Sequence, residues 1–427
     1  MALFFSPEIT DVAAQAAVVQ GVDSNVFQTA GTPPTRHPAL YTSLEASLGL
    51  IGRGRIDGEG EDLRMFGRFM NYEPLGPSFE SRALRGGLSY RTVSRLDRRT
   101  TVLTSWLGSI GSLQAARGTD GDAVGIDPVS TRRTVWNGAG AVTFAFQLSA
   151  RNTLQVLTGI DLMGTIAETV PGTDEVRRRG IDYLTNRSRF SLQHRLDPRT
   201  TLEGALMLER FHVAYVLGAG SPSGTSFESI DGGAATATLG LSRALTLRTS
   251  ANLGAGVAYV IPRFGDEASV LPVGAAGLIH AREAFSASML AGFQYGLAQP
   301  RVGPGASATL TLLVVGRPLG GRARNAFEIV GEAGGQQTGI TVGPNDGASV
   351  TSGGGAVMLR WGIGGGFGVL VGYDFRATHL VPAPPAEAPP WYVRHLGYIG
   401  LSYAWGSTSA VSAMPTLARP MPAAFIP

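Results

Sequence analysis

Side chains that could act as nucleophiles, metal ligands or acid–base catalysts are few and scattered in this sequence. Cysteine is absent, which excludes disulfide frameworks, thiolate metal sites and cysteine nucleophiles. Neither a Gly-x-Ser-x-Gly elbow nor a His-Glu-x-x-His motif occurs. We therefore predict no catalytic residues, no metal site and no cofactor. The histidines match no metal-binding spacing: His37, His194, His212, His280, His379 and His395.

Arginine carries all the basic side-chain charge, since the chain has no lysine. The net charge of +3 is too small to indicate a nucleic-acid partner, and no basic run exceeds the three residues 177–179. Some ionisable residues stand out because each lies in a segment where polar and apolar residues alternate. They are Arg64, Arg68, Arg85, Arg91, Arg187, Arg189, Glu203, Glu209, Asp374 and Arg376.

The alternation itself predicts the elements that carry these residues. In segment 285–297, Phe285, Met289 and Phe293 share one face, while Ser286 and Gln294 lie on the other. Period two is typical of a β-strand with one apolar and one polar face. Such segments are longer than the globular average of about 5–6 residues and reach the roughly 9–11 that a tilted membrane-spanning strand needs. No stretch approaches about 18 consecutive apolar residues, which excludes ordinary transmembrane helices.

The connections between the predicted strands alternate in length. Short turns follow strands that end near residues 52, 95, 148, 196, 244, 280, 317 and 362. Longer loops are predicted at 23–38, 114–131, 164–179, 216–228, 335–350 and 379–390, and shorter ones near 74–80, 264–267 and 299–305. This predicts an all-β, up-and-down antiparallel transmembrane barrel of about eighteen strands, with both chain ends on the periplasmic side of a bacterial outer membrane.

Four of the short turns share a local repeat, at residues 96–100, 148–152, 196–200 and 245–249. The four copies are spaced about 50 residues apart. Such a spacing is also typical of β-propellers, whose blades run about 40–50 residues. A blade needs four short strands, whereas this repeat holds two long ones, so the barrel is favoured. The glycine-rich run 362–368 resembles a phosphate loop only superficially, because no Lys-Ser/Thr follows it, and is predicted to be a turn.

In a membrane barrel the ionisable residues named above must face inward, because a charge facing lipid at mid-depth costs about 2–4 kcal/mol. Two interpretations of this predicted lumen lining stay open. A cationic lumen would favour anionic solutes or an acidic polymer, whereas arginine–carboxylate pairs between strands would hold the wall rigid. Other arginines lie at predicted turns and could dock a periplasmic partner or simply keep the turns solvated. They are Arg53, Arg55, Arg95, Arg98, Arg99, Arg151, Arg195, Arg199, Arg248, Arg282, Arg317, Arg322 and Arg324.

The segment 391–405 resembles the terminal-strand signal that the barrel-assembly machinery recognises. Tyr398, Gly400, Tyr403 and Trp405 carry this resemblance, which implies that machinery as a partner, besides outer-membrane lipid. Residues 1–9 lack the basic and apolar regions of a signal peptide and are interpreted as a leader remnant. The proline-rich residues 407–427 are predicted to be a disordered tail, which leaves 10–406 for the barrel. Aromatic girdles at the membrane interfaces are expected to include Trp136, Trp361, Trp391 and Trp405.

The sequence Gly-Val-Asp-Ser-Asn-Val-Phe at residues 21–27 resembles the opening segment of β-barrel porins linked to polysaccharide synthesis and secretion in Gram-negative bacteria. The resemblance implies export of exopolysaccharide or capsule through an eighteen-stranded barrel, with a periplasmic polysaccharide-export protein as partner. The rival expectation is a general or solute-specific diffusion porin, since barrels of about 16–18 strands leave an aqueous channel.

Overall fold

The computed structural model describes residues 8–24, 38–53, 60–75, 82–114, 132–169, 176–177, 180–216, 227–282, 284–299, 303–316, 327–340, 349–381 and 392–405. These residues form β-strands and turns and include no helix. The strands are β1 (Glu8–Asp23), β2 (Ala39–Arg53), β3 (Gly60–Pro74), β4 (Arg82–Arg95), β5 (Thr100–Gln114), β6 (Arg132–Gln147), β7 (Asn152–Thr169), β8 (Val176–Arg177), β9 (Ile181–Asp197), β10 (Thr200–Val216), β11 (Phe227–Ala244), β12 (Thr249–Ile261), β13 (Ser269–Arg282), β14 (Phe285–Gln299), β15 (Gly303–Gly316), β16 (Phe327–Ile340), β17 (Ser349–Gly364), β18 (Phe367–Val381) and β19 (Tyr392–Trp405).

One antiparallel sheet contains every strand and closes on itself. Each long strand pairs with its neighbours in the chain, and β1 pairs with both β2 and β19. The closing ladder runs from Ala14 opposite Trp405 to Asp23 opposite Leu396. The two-residue strand β8 only extends the edge of β7, which also pairs with β9, so the barrel wall has eighteen strands. The predicted all-β eighteen-stranded barrel is thus confirmed.

Two predicted loop boundaries were wrong. Strand β7 continues to Thr169 and β16 to Ile340, where loops were expected to begin at 164 and 335. In β16 the glycines that suggested a loop lie opposite other glycines, with Gly334 opposite Gly354 and Gly335 opposite Gly353. Backbone hydrogen bonds hold this ladder without help from side chains, so glycine content misled the prediction.

The predicted turn lies within the glycine-rich run 362–368, but it comprises only residues 365 and 366, because β17 continues to Gly364 and β18 begins at Phe367. It joins β17 to β18, and Gly364, Gly365 and Gly366 have φ values of 101°, 62° and 86°. This left-handed backbone is strained for residues with a Cβ, which explains three successive glycines. The expected tail, Trp391, the predicted turn after 317 and residues 1–7 of the expected leader lie outside the described residues, whereas residues 8 and 9 of that leader belong to β1. The barrel strands run from Glu8 to Trp405, close to the predicted 10–406.

The two faces of the wall differ in chemistry. One face carries large apolar side chains that remain exposed, among them Leu239, Leu253 and Leu401, each at least 60% exposed. Their neighbours in the chain point to the other face and are small or polar, for example Thr238, Asn252 and Ser402. In water such an apolar belt would be costly, so it fits the hydrocarbon of a membrane and faces outward.

Candidate functional site: the inner wall of the barrel

The ladder register gives each strand residue a face. Arg68 of β3 lies opposite Glu45 of β2 and Arg85 of β4, so these three share one face. Residues that lie opposite each other on neighbouring strands point to the same side of the sheet. When these pairs are traced around the closed sheet, the side that carries Arg68 is everywhere the side opposite the apolar belt. The sequence-predicted residues all lie on it, namely Arg64, Arg68, Arg85, Arg91, Arg187, Arg189, Glu203, Glu209, Asp374 and Arg376.

Most of these arginines bind carboxylates on the wall rather than pointing free into the lumen. Arg68 Nε lies 2.9 Å from Glu45 Oε1, and its Nη2 donates to the Tyr41 hydroxyl at 3.0 Å. Arg64 Nη2 lies 2.6 Å from Asp62 Oδ2 two residues earlier on the same strand. The acids Glu45 and Asp62 were not among the predicted residues.

A second paired group spans β7, β9 and β10. Arg187 Nη2 lies 2.5 Å from Asp161 Oδ2, and Arg189 Nη2 lies 2.6 Å from Glu203 Oε1. Glu209 lies directly opposite Arg187 in the ladder, so Arg187 stands between two carboxylates. These pairs join neighbouring strands, as in the interpretation that arginine–carboxylate pairs hold the wall rigid. Arg376 repeats the same-strand arrangement, with its Nε 3.1 Å from Asp374 Oδ1.

The most deeply buried charge pair among the described residues closes the barrel. Arg394 of β19 binds Asp23 of β1, with Nη2 2.5 Å and Nε 2.9 Å from Oδ2, and both side chains are buried. One residue further, Ser24 Oγ accepts from the His395 backbone N–H at 2.8 Å. Asp23 and Ser24 belong to the segment 21–27 that carried the family resemblance, and here they join the first strand to the last.

The neighbouring part of the inner wall is packed rather than open. A cavity of about 30 Å³ lies between β1–β3 and β18–β19 and is bounded by charged and tyrosine side chains. A space of this size holds a water molecule or two, so it is not a solute site. Its lining includes Tyr41, Glu45, Arg68, Asp374, Arg376 and Arg394.

The predicted assembly-signal residues divide between the faces of β19. Tyr398 and Gly400 lie on the inner face, opposite Gly21 and Val19 of β1, while Tyr403 lies on the outer face. The Tyr398 ring rests on Gly372, where any Cβ would overlap it. Tyr403 packs against Phe367 with ring centroids 4.8 Å apart, and Trp405 is 55% exposed on the belt. The segment therefore anchors the closing strand, and its recognition by an assembly machine stays a prediction.

Elsewhere the inner wall is accessible to water. Ser105 and Leu107 of β5, Asn252 of β12 and Ile279 of β13 lie on the inner face and are exposed. Arg91 is also exposed, and its guanidinium group forms no hydrogen bond or ion pair with any residue the structure describes. Leu107 and Ile279 show that the accessible wall is not purely polar, which the alternation had not indicated.

Charged side chains are distributed unevenly around the lumen. Strands β3 and β4 carry Arg64, Arg68, Arg85 and Arg91, whereas the inner face of β12–β14 presents Ser, Asn, Gln, Gly and apolar residues and no ionisable group within its described part. In a closed wall of eighteen strands, β13 is nine places from β3 and lies across the lumen from it. An arginine-rich arc therefore faces an uncharged one.

Within the described ranges, no group of three or more His, Asp or Glu side chains is arranged to hold a metal ion. The same ranges contain no helix long and apolar enough to cross a membrane.

The turn arginines that fall in the described ranges, such as Arg99, Arg151 and Arg248, are exposed at one end of the barrel. Arg55, Arg317, Arg322 and Arg324 fall outside these ranges.

No protein-family model and no curated protein matches this chain. Among solved structures, the siderophore receptor PirA from Acinetobacter baumannii is 8% identical with a TM-score of 0.47, covering 92% of this chain and 80% of its own. The copper transporter OprC is 10% identical with a TM-score of 0.45 over the same shares. OpdK of Pseudomonas aeruginosa, solved with vanillate, is 8% identical with a TM-score of 0.42, covering 93% of this chain and 100% of its own. Likeness at this level assigns no solute.

The assignment of the fold rests instead on the geometry of the chain itself. Each of the eighteen long strands pairs on both sides, so the described wall leaves no open strand edge for lipid to meet. These long strands have 13 to 18 residues, enough to cross a bilayer at a tilt. Large apolar side chains form the outer belt, whereas charged side chains such as Arg64, Arg189 and Glu203 face inward. The chain is an integral β-barrel protein of the bacterial outer membrane.

Proposed function

We propose that this barrel is a passive channel that lets polar solutes cross the outer membrane. The observation that carries the proposal is the segregation of charge, since Arg64, Arg91, Arg189 and Glu203 lie on the inner wall while the belt outside is apolar. The free-energy cost of placing a charged side chain is lowest where water solvates it. Together with the exposed inner-wall residues, this favours a water-filled lumen, as expected for a wall of eighteen strands.

The same wall favours small anions over cations, but only weakly. Pairing with Asp62, Glu45, Asp161 and Glu203 cancels most of the arginine charge. On β4, Arg85 donates to the hydroxyl of Ser109 at 3.2 Å, and the side chain of Arg91 is exposed to the lumen. A moderate excess of positive charge on one arc raises the local concentration of anions.

The double substitution Arg85→Gln and Arg91→Gln is therefore expected to lower the chloride-to-potassium permeability ratio by about twofold, because field strength at the wall sets ion selectivity. The reversal potential across a bilayer with a KCl gradient measures this ratio. The matched control is Arg210→Gln with Arg243→Gln, which removes the same charge from the outer face, where both residues are exposed. An unchanged ratio in the first variant, or an equal change in the control, would contradict the selectivity.

Export of exopolysaccharide or capsule, with a periplasmic polysaccharide-export partner, stays a prediction that rests on the resemblance at residues 21–27. Asp23 and Ser24 of that segment hold the closing strand pair, a role that closure of any barrel could require. Deleting the gene and assaying both surface polysaccharide and uptake of small solutes separates the two functions. Normal polysaccharide with reduced uptake supports the channel, and lost polysaccharide with normal uptake supports export.

A further inference from the structure

The four turns with a shared sequence repeat are built in the same way. The second residue of each turn, Asp97, Ser149, Asp197 or Thr246, uses a side-chain oxygen to accept the backbone N–H two residues later. These donor–acceptor distances are 2.6, 3.2, 2.7 and 3.1 Å. The residue that donates is an arginine in every case: Arg99, Arg151, Arg199 and Arg248.

A second contact fixes the same arginines from the other side. The backbone carbonyl of each accepts an N–H from the end of a neighbouring strand, from Gln147, Arg195, Ala244 and Ala281 in turn, and all four distances are 2.8 Å. Both bonds use only the backbone of the arginine. None of the four guanidinium groups forms a hydrogen bond or salt bridge with a residue in the described ranges.

Two of the four turns carry a carboxylate, Asp97 or Asp197, which keeps its negative charge near the arginine, and the other two turns carry none. The pKa of Asp97 lies below its usual range, chiefly because its carboxylate accepts a hydrogen bond from the backbone N–H of Arg99. Asp97 Oδ2 also accepts the Thr100 hydroxyl at 3.0 Å. The carboxylate thus serves the turn itself, and the exposed guanidinium groups give this mouth of the barrel a regular basic rim.

Three residues before each of these arginines, the first residue of the turn is a leucine that faces outward. The first residues of the four turns continue the outer face of β4, β6, β9 and β11 and are exposed by 64%, 54%, 49% and 50%: Leu96, Leu148, Leu196 and Leu245. Each of these four outer faces therefore ends on an apolar residue at its turn, with His194 two residues before Leu196 and Arg243 two residues before Leu245. At the opposite end of the barrel the outer face becomes polar earlier, at Asn186, Arg210 and Asp231. The turn arginines stand directly at the edge of the belt, where lipid headgroups lie.

We propose that Arg99, Arg151, Arg199 and Arg248 bind the phosphate groups of anionic phospholipids, with the neighbouring leucines seated among the acyl chains. The turns occur at every second strand, so four lipids bind in an arc, one to each turn. The leaflet is the periplasmic one, because the described chain ends, Glu8 and Trp405, lie at the turn end of the barrel, as is usual for bacterial barrels. An acidic protein could use the arginines but not the leucines.

The test measures lipid preference in vesicles that carry the same lipids in both leaflets, so the direction of insertion does not matter. The folded barrel is placed in phosphatidylcholine vesicles containing brominated phosphatidylglycerol, and the quenching of its tryptophans gives the association constant of the anionic lipid relative to brominated phosphatidylcholine. We expect a preference for phosphatidylglycerol in the native protein that falls as salt is added.

The variant Arg151→Gln, Arg199→Gln, Arg248→Gln should lower this preference by about fivefold or more, given about 1 kcal/mol for each arginine near an anionic membrane surface. Glutamine keeps both backbone bonds, so the fold is retained, and the heat-dependent shift in gel mobility of barrels checks this. The matched control Arg82→Gln, Arg210→Gln, Arg263→Gln removes the same charge from the opposite mouth and should keep the preference. A folded first variant that keeps the preference, or a control that loses as much, overturns the proposal.

Discussion

Replacing Arg394 with methionine is expected to lower the free energy of unfolding by about 3–5 kcal/mol, because the change leaves a buried carboxylate without its partner. Asp23 is fully buried and its charge is balanced by Arg394, whose side chain is only 4% exposed. The pair lies on the ladder between the first and last strands, so its loss acts on the closure of the barrel. Equilibrium unfolding by guanidinium in lipid vesicles, followed by tryptophan fluorescence, measures the effect.

Arg376 provides the control for this prediction. It lies opposite Arg394 in the ladder and binds Asp374, but the two side chains are 30% and 23% exposed. Water can solvate the remaining acid, so Arg376→Met should cost no more than about 1 kcal/mol. Adding Asp23→Asn to Arg394→Met should recover part of the loss, because it removes the buried charge. Equal costs for the two arginines would show that burial of the closing pair does not matter.

The second large effect is expected on the outer belt. Leu239 of β11 is 60% exposed and lies a few residues above the turn end of its strand, at mid-depth in the apolar belt. Leu239→Arg should reduce the free energy of unfolding in vesicles by about 2–4 kcal/mol, since arginine would face hydrocarbon. The same unfolding measurement applies.

The adjacent residue supplies a matched control. Thr238 faces the lumen, opposite Ala205 and Gly256, which leave room for a longer side chain. Thr238→Arg should cost less than about 1 kcal/mol, because the charge would stay in water. The two variants have the same added charge and differ by one position in the chain. If Thr238→Arg costs as much as Leu239→Arg, the assignment of inner and outer faces is wrong.

Local patterns explain why so much of the fold could be predicted. Alternation depends only on neighbouring residues, and it placed Arg64, Arg91, Arg189 and Glu203 on one face before any contact was known. The turn repeats are equally local, and all eight predicted strand ends before short turns fall within two residues of an observed strand end. Strand length then decided between a membrane barrel and a globular sheet.

What could not be predicted depends on which strands meet. Asp23 and Arg394 are 371 positions apart, and only closure of the barrel makes them neighbours. The pairing of Arg187 with Asp161 needs the ladder register, which a shift of one residue would destroy. The leucines at the turns were visible in the sequence, but their outward direction and the fixed arginine backbones appear only in three dimensions.

The proposed function depends on a lumen open to water from one side to the other, and single-channel recording tests this most directly. Purified, folded protein added to a planar bilayer in symmetric KCl should produce uniform, stable conductance steps, and the reversal potential in a KCl gradient should shift when Arg85 and Arg91 are replaced together. Folded protein that inserts but gives no conductance steps would contradict an open channel.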